Sequence, residues 1–132
     1  MGEVLYAASL PLAPVTKKNS QRIILTAAGR RSIAPSRAYI RYEQAAMAYF
    51  SPRPRTAIDE PVEVTCVFYM PSRRRVDLTN LLEAIDDVLV KAGVLADDHS
   101  GIIVSHDGSR VLYDRDRPRT EITIRAMDGE EA

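Results

Sequence analysis

The sequence predicts an α+β fold: a single two-layer domain in which a mixed β-sheet carries two helices packed on it. Strand-like and helix-like segments follow in the order β, basic loop, α, β, α, β, β, which is typical of this class. A length of 132 residues suits one domain with its own core, and no repeat or linker divides residues 1–132. The composition, 45% hydrophobic and 27% charged, is that of a globular protein. Residues 127–132 are expected to form a frayed tail.

The N-terminal segment is predicted to contain one strand followed by a basic loop or hairpin. Val4–Leu12 reads as a short strand, and Pro11 and Pro14 end it because proline cannot donate to a β-ladder. Residues 15–36 are polar and basic around the small apolar run Ile23–Leu25. We therefore expect a loop or a hairpin in this part of the chain.

A first helix is predicted between Ser36 and Phe50. Ser36 follows Pro35 and is a suitable N-cap, because its hydroxyl can accept a hydrogen bond from the first helical turn. Aromatic and small side chains recur at helical spacing at Tyr39, Tyr42, Ala46 and Tyr49. Such a stripe is more typical of a helix face on a core than of a base-stacking platform.

The clearest strand is Pro61–Pro71. Alternate side chains along it are predicted to share one buried face, formed by Val62, Val64, Cys66, Phe68 and Met70. Cys66 is therefore interpreted as a small buried apolar residue and not as a nucleophile. As the single cysteine, it also excludes an intramolecular disulfide and a cysteine-rich zinc site.

A second helix follows the arginines at positions 73–75. Thr79 or Asn80 is its expected N-cap, and Gly93 is its expected stop. Its apolar stripe is formed by Leu81, Leu82, Ile85, Val88, Leu89 and Ala92.

Two further strands are predicted in the C-terminal part. Ile102–His106 is apolar and leads into a turn at Asp107-Gly108, and Thr120–Ala126 alternates between apolar and polar residues. These strands complete the predicted mixed sheet.

Charge is divided unevenly along a chain whose formal net charge is zero. Residues 1–58 hold nine lysines and arginines against Glu3 and Glu43, a net charge of +7, and residues 59–132 carry −7. This asymmetry indicates a polyanion as partner of the basic part. No apolar run reaches the roughly 20 residues of a membrane helix, and no signal-peptide pattern is present, so we expect no membrane partner and a cytoplasmic location.

Acidic side chains crowd one segment of the second half, directly after three arginines. The segment contains Arg73, Arg74, Arg75, Asp77, Asp86, Asp87, Asp97 and Asp98. Carboxylates repel one another, so crowding them needs solvent or a cation, and oxygen ligands are what Mg²⁺ or Mn²⁺ prefers. Beside arginines, such a site suits cleavage of phosphodiester bonds. The competing interpretation is an acidic helix followed by an Asp-Asp turn that binds no metal.

Three short motifs occur in order along the chain. They are P-V-T-K-K-N-S at Pro14–Ser20, R-x-D-L-x-N at Arg75–Asn80 and, after an amphipathic helix, G-V-L-x-D-D at Gly93–Asp98. Their order and spacing resemble the RusA family of Holliday junction resolvases. The resemblance implies a small homodimeric endonuclease that depends on Mg²⁺, or on Mn²⁺ in its place. Such an enzyme nicks branched DNA symmetrically in recombination and repair, and leaves 5′-phosphate and 3′-hydroxyl ends.

The resemblance also assigns site residues. Asp77 matches the family's first catalytic aspartate, and Asp98 matches the later one. The best-known form of the motif has aspartate where this chain has Thr79, and lysine where it has Glu83. A threonine hydroxyl carries no formal charge, so the missing charge is expected from Glu83 or Asp87. The full set of expected metal ligands and supporting residues is Asp77, Asp98, Asp97, Glu83, Asp87, Thr79 and Asn80.

The length of the second helix leaves the assembly of this site open. A helix from Asn80 to Lys91 is about 18 Å long, with Asp77 before it and Asp98 after it. The segment 92–98 reaches roughly 25 Å when extended, so Asp98 returns to Asp77 only if the chain runs nearly straight back. Otherwise Asp98 lies nearer Asp87, or it serves a site that the other subunit completes.

Basic residues near the motifs are expected to contact DNA phosphates. They are Lys17, Lys18, Arg22, Arg73, Arg74 and Arg75, with Arg30 and Arg31 as further candidates. Three functions stay open: an active endonuclease, a branched-DNA-binding protein whose catalysis is weakened by Thr79 and Glu83, and an unrelated acidic module of a protein complex. A homodimer is expected of the first, because a nearly two-fold symmetric four-way junction needs paired nicks.

Overall fold

The computed structural model describes residues 2–17, 22–34 and 36–127, and it confirms the α+β class. The strands are β1 (Val4–Leu10), β2 (Arg22–Leu25), β3 (Arg31–Ala34), β4 (Val62–Met70), β5 (Ile103–Ser105), β6 (Arg110–Tyr113) and β7 (Arg119–Ala126). The helices are α1 (Arg37–Ala46), followed by a 3₁₀ turn at Met47–Tyr49, and α2 (Leu78–Lys91). Neither helix in this part of the chain has the length and hydropathy that crossing a bilayer requires. Most of the predicted frayed tail, residues 128–132, lies outside the described residues.

One mixed sheet forms the first layer. β7 lies between β1 and β4 and is antiparallel to both. The other edge of β4 carries two short parallel strands in tandem, β5 at its beginning and β6 at its end. Between them, the backbone N–H of Cys66 donates to Ser109 Oγ at 3.0 Å. β6 was not predicted, because a strand of 4 residues shows too little alternation to be recognised.

The core lies between this sheet and the two helices. Along β4, Val62, Val64, Cys66 and Phe68 are at most 1% exposed, and the residues between them are half-buried. This alternation confirms both the predicted strand and the buried cysteine. Burial raises the pKa of the Cys66 thiol well above its usual range, so the thiol stays protonated.

Helix α1 begins as predicted and ends earlier. Ser36 is its N-cap, and Ser36 Oγ accepts a hydrogen bond from the backbone N–H of Tyr39 at 3.1 Å. Tyr39, Tyr42 and Ala46 are buried against the core, as the spacing indicated. The prediction for Tyr49 was wrong: the regular helix stops at Ala46, the 3₁₀ turn changes the direction of the next side chains, and Tyr49 is 43% exposed.

Helix α2 begins two to three residues before the predicted cap. Asp77 occupies the N-cap with extended backbone angles, φ −84° and ψ 123°, and its carbonyl accepts the first helical hydrogen bond from Leu81 N. Thr79 and Asn80 therefore lie inside the first turn, and the prediction that one of them caps the helix was wrong. Gly93 ends the helix as predicted, with φ +78°, a conformation that favours glycine. The buried stripe consists of Leu81, Ala84, Ile85, Val88 and Leu89.

The basic N-terminal segment contains a hairpin that is separate from the main sheet. β2 pairs with β3 in antiparallel register, with Ile23 opposite Ile33. The connecting turn is closed by Gly29 N, which donates to Thr26 O at 2.9 Å, and Gly29 has φ +76°. Of the two predicted alternatives, a loop or a hairpin, the structure contains the hairpin.

Candidate active site

The turn after α2 is anchored to the core. Backbone N–H groups of Val94 and Leu95 donate to Leu89 O at 3.0 and 3.3 Å, and both residues are buried. Ile58 N donates to Val94 O at 2.9 Å, which ties the turn to the segment before β4. This anchoring fixes the position of the Asp-Asp pair that follows.

Asp98 lies beside Asp87 of α2. Asp98 is an exposed residue, yet partial loss of hydration raises the pKa of its carboxyl, and a hydrogen bond with Asp87 and the charge of Asp87 raise it further. The neighbouring Asp97 contributes in the same direction, and Asp97 Oδ1 accepts a hydrogen bond from Asp98 N at 2.7 Å. Two carboxyl groups in contact repel when both are ionised, so this pair favours a proton or a cation between them.

Lys17 approaches the same carboxyl pair from the N-terminal segment. Lys17 Nζ donates to Asp87 Oδ2, and this hydrogen bond is the main reason why the pKa of Lys17 is raised. Glu83, one turn before Asp87, adds to the effect through its charge. The ammonium also lies 6.0 Å from the centre of the Tyr39 ring, within range of a weak cation–π interaction.

Side chains of α1 and of the end of α2 complete the surroundings of this carboxyl pair. Tyr39 Oη donates to Glu43 Oε2 at 3.2 Å, and Lys91 Nζ donates to Glu43 Oε1 at 2.9 Å. Burial, and then the charge of Glu43, raises the pKa of the Tyr39 hydroxyl, which keeps it protonated as a donor. The bond between Lys91 of α2 and Glu43 of α1 links the two helices across the site.

Together these groups line an open cleft of about 400 Å³, here called the carboxylate cleft. Its lining is Lys17, Tyr39, Glu43, Asp87, Val90, Lys91 and Asp98. The cleft therefore presents carboxylate oxygens between two ammonium groups, an arrangement that can bind a cation and an anionic ligand side by side.

Asp77 lies at the opposite end of α2. It stands ten positions before Asp87, which places the two Cα atoms about 15 Å apart along a helix. Asp77 is exposed, and its Oδ2 accepts a hydrogen bond from Asn80 Nδ2 at 3.2 Å. Of the arrangements that the sequence left open, one protomer thus shows Asp98 next to Asp87. Across the described ranges, no three His, Cys, Asp or Glu side chains are grouped to hold a metal ion.

An acid–histidine pair that sequence reasoning missed lies behind the cleft. His106 Nε2 lies 2.8 Å from Asp86 Oδ2, and His106 Nδ1 lies 2.8 Å from Val64 O. The pair ties α2 to β4 and to the turn after β5, next to Asp87. Asp86 was visible in the sequence as an acidic residue within the apolar stripe, and that position was the available signal.

The arginines between β4 and α2 are exposed. The Arg73 guanidinium lies 4.4 Å from the centre of the Tyr113 ring. Arg74 and Arg75 line a second open cleft together with residues 14–16, the segment that leads to Lys17. Arg74 and Arg75 therefore lie beside the stretch of the N-terminal segment that leads to Lys17.

The remaining predicted DNA contacts are only partly described. Lys18 lies outside the described residues, and so does the side chain of Arg22, whose backbone begins β2. Arg30 and Arg31 are exposed at the end of the hairpin.

Comparison with known proteins gives one positive result. A family model described as "Endodeoxyribonuclease RusA" matches residues 11–125, which is most of the chain. The curated proteins include no match to this chain.

Proposed function

The chain belongs to the RusA endodeoxyribonuclease family, and from this premise we propose that it is a metal-dependent endonuclease that cleaves phosphodiester bonds in branched DNA. The observation that carries the proposal is the contact between Asp87 and Asp98 in an open cleft beside basic residues. The proposed substrate is a four-way junction or a related branch, and the proposed role is DNA recombination and repair in the cytoplasm.

The carboxylate cleft has donors that suit a hard divalent cation. Asp87 and Asp98 offer carboxylate oxygens, and Mg²⁺ commonly binds through one or two carboxylates, with waters and substrate phosphates as its other ligands. Loss of hydration is the main cause of the raised pKa of Asp98, and the hydrogen bond and charge of Asp87 add to it; a cation would offset that charge. Mg²⁺, or Mn²⁺ in its place, would stabilise charge on the phosphate and lower the pKa of an attacking water. Asp97 and Glu83 are further candidate ligands.

Lys17 has two proposed tasks. In the protein alone, its ammonium forms an ion pair with Asp87 and offsets part of the negative charge of the carboxyl pair. Lys17 also lines the cleft, so its ammonium would be able to contact a phosphate of DNA bound there.

Asp77 belongs to the proposed catalytic pair with Asp98, on the strength of the matched motif. The separation along α2 means that one protomer does not bring Asp77 to Asp87. In a homodimer, Asp77 of one protomer can complete the site that contains Asp98 of the other. Thr79 and Asn80 are proposed to support Asp77, and the hydrogen bond from Asn80 Nδ2 is consistent with this role.

The proposed DNA contacts surround the cleft and carry no base readout. They are Lys17, Lys18, Arg22, Arg73, Arg74 and Arg75. A two-fold homodimer would present two such sites to the opposed strands of a four-way junction, so that two symmetric nicks can follow one binding event. The proposed products carry 5′-phosphate and 3′-hydroxyl ends.

A second candidate function is a branched-DNA-binding protein with weakened catalysis. Two observations favour it: threonine stands at position 79 and glutamate at position 83, where the best-known form of the motif has aspartate and lysine. The family match leaves no support for the third interpretation, an unrelated acidic module.

A nicking assay on a four-way junction tests the proposal. The wild-type protein should nick the junction with Mg²⁺ and not with EDTA, and Asp98→Asn should lower the rate by orders of magnitude while junction binding persists. Asp59→Asn is the matched control, because Asp59 is an exposed aspartate outside the cleft. Junction binding without any nicking by the wild-type protein would select the second candidate. Absence of binding would contradict both.

Mass measurement in solution tests the homodimer. The chain has a mass of 14.7 kDa, so a dimer should double that value at micromolar concentration, with or without junction DNA. A monomer in both conditions would remove the argument for coordinated nicking and leave a general branched-DNA nuclease.

A further inference from the structure

The β2–β3 hairpin exposes an apolar face to solvent. Ile23, Leu25 and Ile33 are 71%, 73% and 68% exposed. The register places Ile23 opposite Ile33 and Leu25 opposite Arg31, so these four side chains share one face of the ribbon. Ile24, on the other face, is only 39% exposed.

This exposure needs an explanation because an isolated ribbon is a weak structure. A two-stranded hairpin is marginal in water unless a further strand, a helix or a partner covers its apolar side. Within the described part of the chain, β2 and β3 pair only with each other. Contiguous exposed apolar side chains on an otherwise polar surface mark an interaction site.

The positive charge around this apolar face indicates which kind of partner binds there. Residues 4–42 contain seven lysines and arginines and no acidic residue. Arg30 and Arg31 are exposed, and neither forms an ion pair with another described residue. A second copy of this face would bring equal positive charge against it, which disfavours self-association. A ligand with flat apolar surfaces beside negative charges fits better, and nucleic acid bases flanked by phosphates have this character.

Only short stretches of chain separate the hairpin from residues that line the carboxylate cleft. Lys17 lines the cleft, and Arg22 follows it by five positions, a span of about 18 Å at most. On the other side, Ala34 comes two positions before Ser36, the cap of the helix whose Tyr39 also lines the cleft. DNA held in the cleft therefore lies within reach of the ribbon.

We propose that the apolar face of the hairpin packs against unstacked bases at the branch point of DNA, while Arg30 and Arg31 contact the adjacent phosphates. The proposal rests on the branched-DNA function proposed above and adds the element that distinguishes a branch from plain duplex. A two-stranded ribbon fits a DNA groove, and apolar wedges inserted at base steps unstack them. Bases at a branch are already partly unstacked, so the wedge binds them at lower cost than bases within duplex DNA.

The test replaces the apolar face without disturbing the ribbon. The variant Ile23→Thr/Leu25→Thr/Ile33→Thr keeps residues that favour strands and removes the apolar surface. Binding is measured in EDTA, which prevents cleavage, to a four-way junction with 2-aminopurine at the branch and to a duplex of the same sequence. The control Val4→Thr/Val104→Thr removes apolar side chains of the main sheet that are 50% and 40% exposed.

The wild-type protein and the control should increase 2-aminopurine fluorescence at the branch. The triple variant should lose this increase and bind the junction about tenfold more weakly, while duplex binding changes little, because phosphate contacts remain. Equal junction affinity and an equal fluorescence increase in wild type and triple variant would overturn the hairpin proposal alone. A triple variant that loses dimerisation would show a protein interface instead and would also overturn it. A wild-type protein without junction binding would overturn both this inference and the proposed function.

Discussion

Replacing His106 should destabilise the protein, because it leaves the carboxylate of Asp86 buried without its hydrogen-bond partner. Val64 O can only accept a hydrogen bond, so His106 Nδ1 carries a proton, and one more proton lies between His106 Nε2 and Asp86 Oδ2. The raised pKa of His106, held up by the hydrogen bond and charge of Asp86, favours the imidazolium–carboxylate form of this pair. Asp86 Oδ1 is buried without a hydrogen-bond partner in the described structure. In His106→Ala, Oδ2 loses its partner as well, so neither oxygen of the buried carboxylate has one.

The expected loss follows from the burial of the pair. The side chains of His106 and Asp86 are 24% and 14% exposed, so solvent screens the interaction only in part. Breaking a buried ion pair costs about 3–5 kcal/mol, and the residual exposure places this pair at about 3 kcal/mol. For a domain of this size, that loss lowers Tm by roughly 10 °C.

The loss should depend on pH in a defined direction. Burial lowers the pKa of His106, but the hydrogen bond and charge of Asp86 outweigh it, and the folded-state pKa is raised. A raised histidine pKa stabilises the fold fully below its ordinary value of about 6.5, and this contribution disappears as pH rises through the folded pKa. Burial, and then the charge of Asp87, raises the pKa of Asp86 despite the opposing effect of His106. Without His106, the Asp86 carboxyl is protonated more readily in acid. Because the protonated form carries no buried charge, the variant recovers part of its stability there. The deficit is therefore largest in mildly acidic solution, just below the ordinary histidine pKa, and smaller in stronger acid and in alkaline solution.

Urea unfolding at about pH 4, 6 and 9, followed by circular dichroism in EDTA, measures this deficit. The control is His99→Ala, because His99 is exposed in a turn, where its Nδ1 accepts a hydrogen bond from Gly101 N at 3.0 Å. The control should lose well under 1 kcal/mol. Adding Asp86→Asn to His106→Ala should recover part of the loss, since it removes the buried charge. Equal stability of the two histidine variants, or a deficit that does not change with pH, would refute the reasoning.

Three further predictions address the site and the core. Asp77→Asn and Asp98→Asn should each abolish nicking while leaving folding and junction binding nearly intact, and undiminished nicking by either variant would remove that residue from the catalytic pair. If the partner completes the site, mixed dimers of the two variants should regain nicking of one strand. Mixed dimers that stay inactive would place both aspartates in one protomer's site. Lys17→Ala/Lys18→Ala should weaken binding to all DNA sequences alike and flatten the dependence of log K on log salt by about one unit per lost contact; a loss confined to particular sequences would indicate base readout instead. Cys66, which is 0% exposed and has a raised thiol pKa, should react with a thiol reagent only on the timescale of unfolding, and rapid labelling of the native protein would contradict the buried position of β4.

Local patterns predicted the parts of the fold that depend on neighbours in sequence. The alternation around Cys66 identified β4 and its buried face, because the period of two directly reflects the pleat. Ser36 was recognisable as a cap, since its hydroxyl serves residues only three positions away. Asp77 was not chosen as the cap of α2, because Asp77, Thr79 and Asn80 are all suitable residues and only packing selects among them.

Local sequence patterns could not predict contacts between residues that are far apart in the sequence. Lys17 and Asp87 are 70 positions apart, and Asp86 and His106 are 20 apart, so neither pair leaves a periodic signal. The sequence identified the charged residues of the site and left its assembly open. Tertiary packing of the turn after Gly93 brings Asp98 next to Asp87.

The divided edge of the main sheet affects how the protein behaves when many copies gather on DNA. A long, regular edge strand would offer a continuous row of free N–H and C=O groups to a neighbouring molecule and invite stacking into aggregates. On this side, the outer strands have only 3 and 4 residues. The turn between them interrupts the ladder, and Ser109 occupies the gap by accepting from Cys66 N. Any neighbour that added a strand there could form only a few bonds before the register broke. Crowding on a DNA substrate therefore favours exchange of individual molecules over polymerisation through this edge.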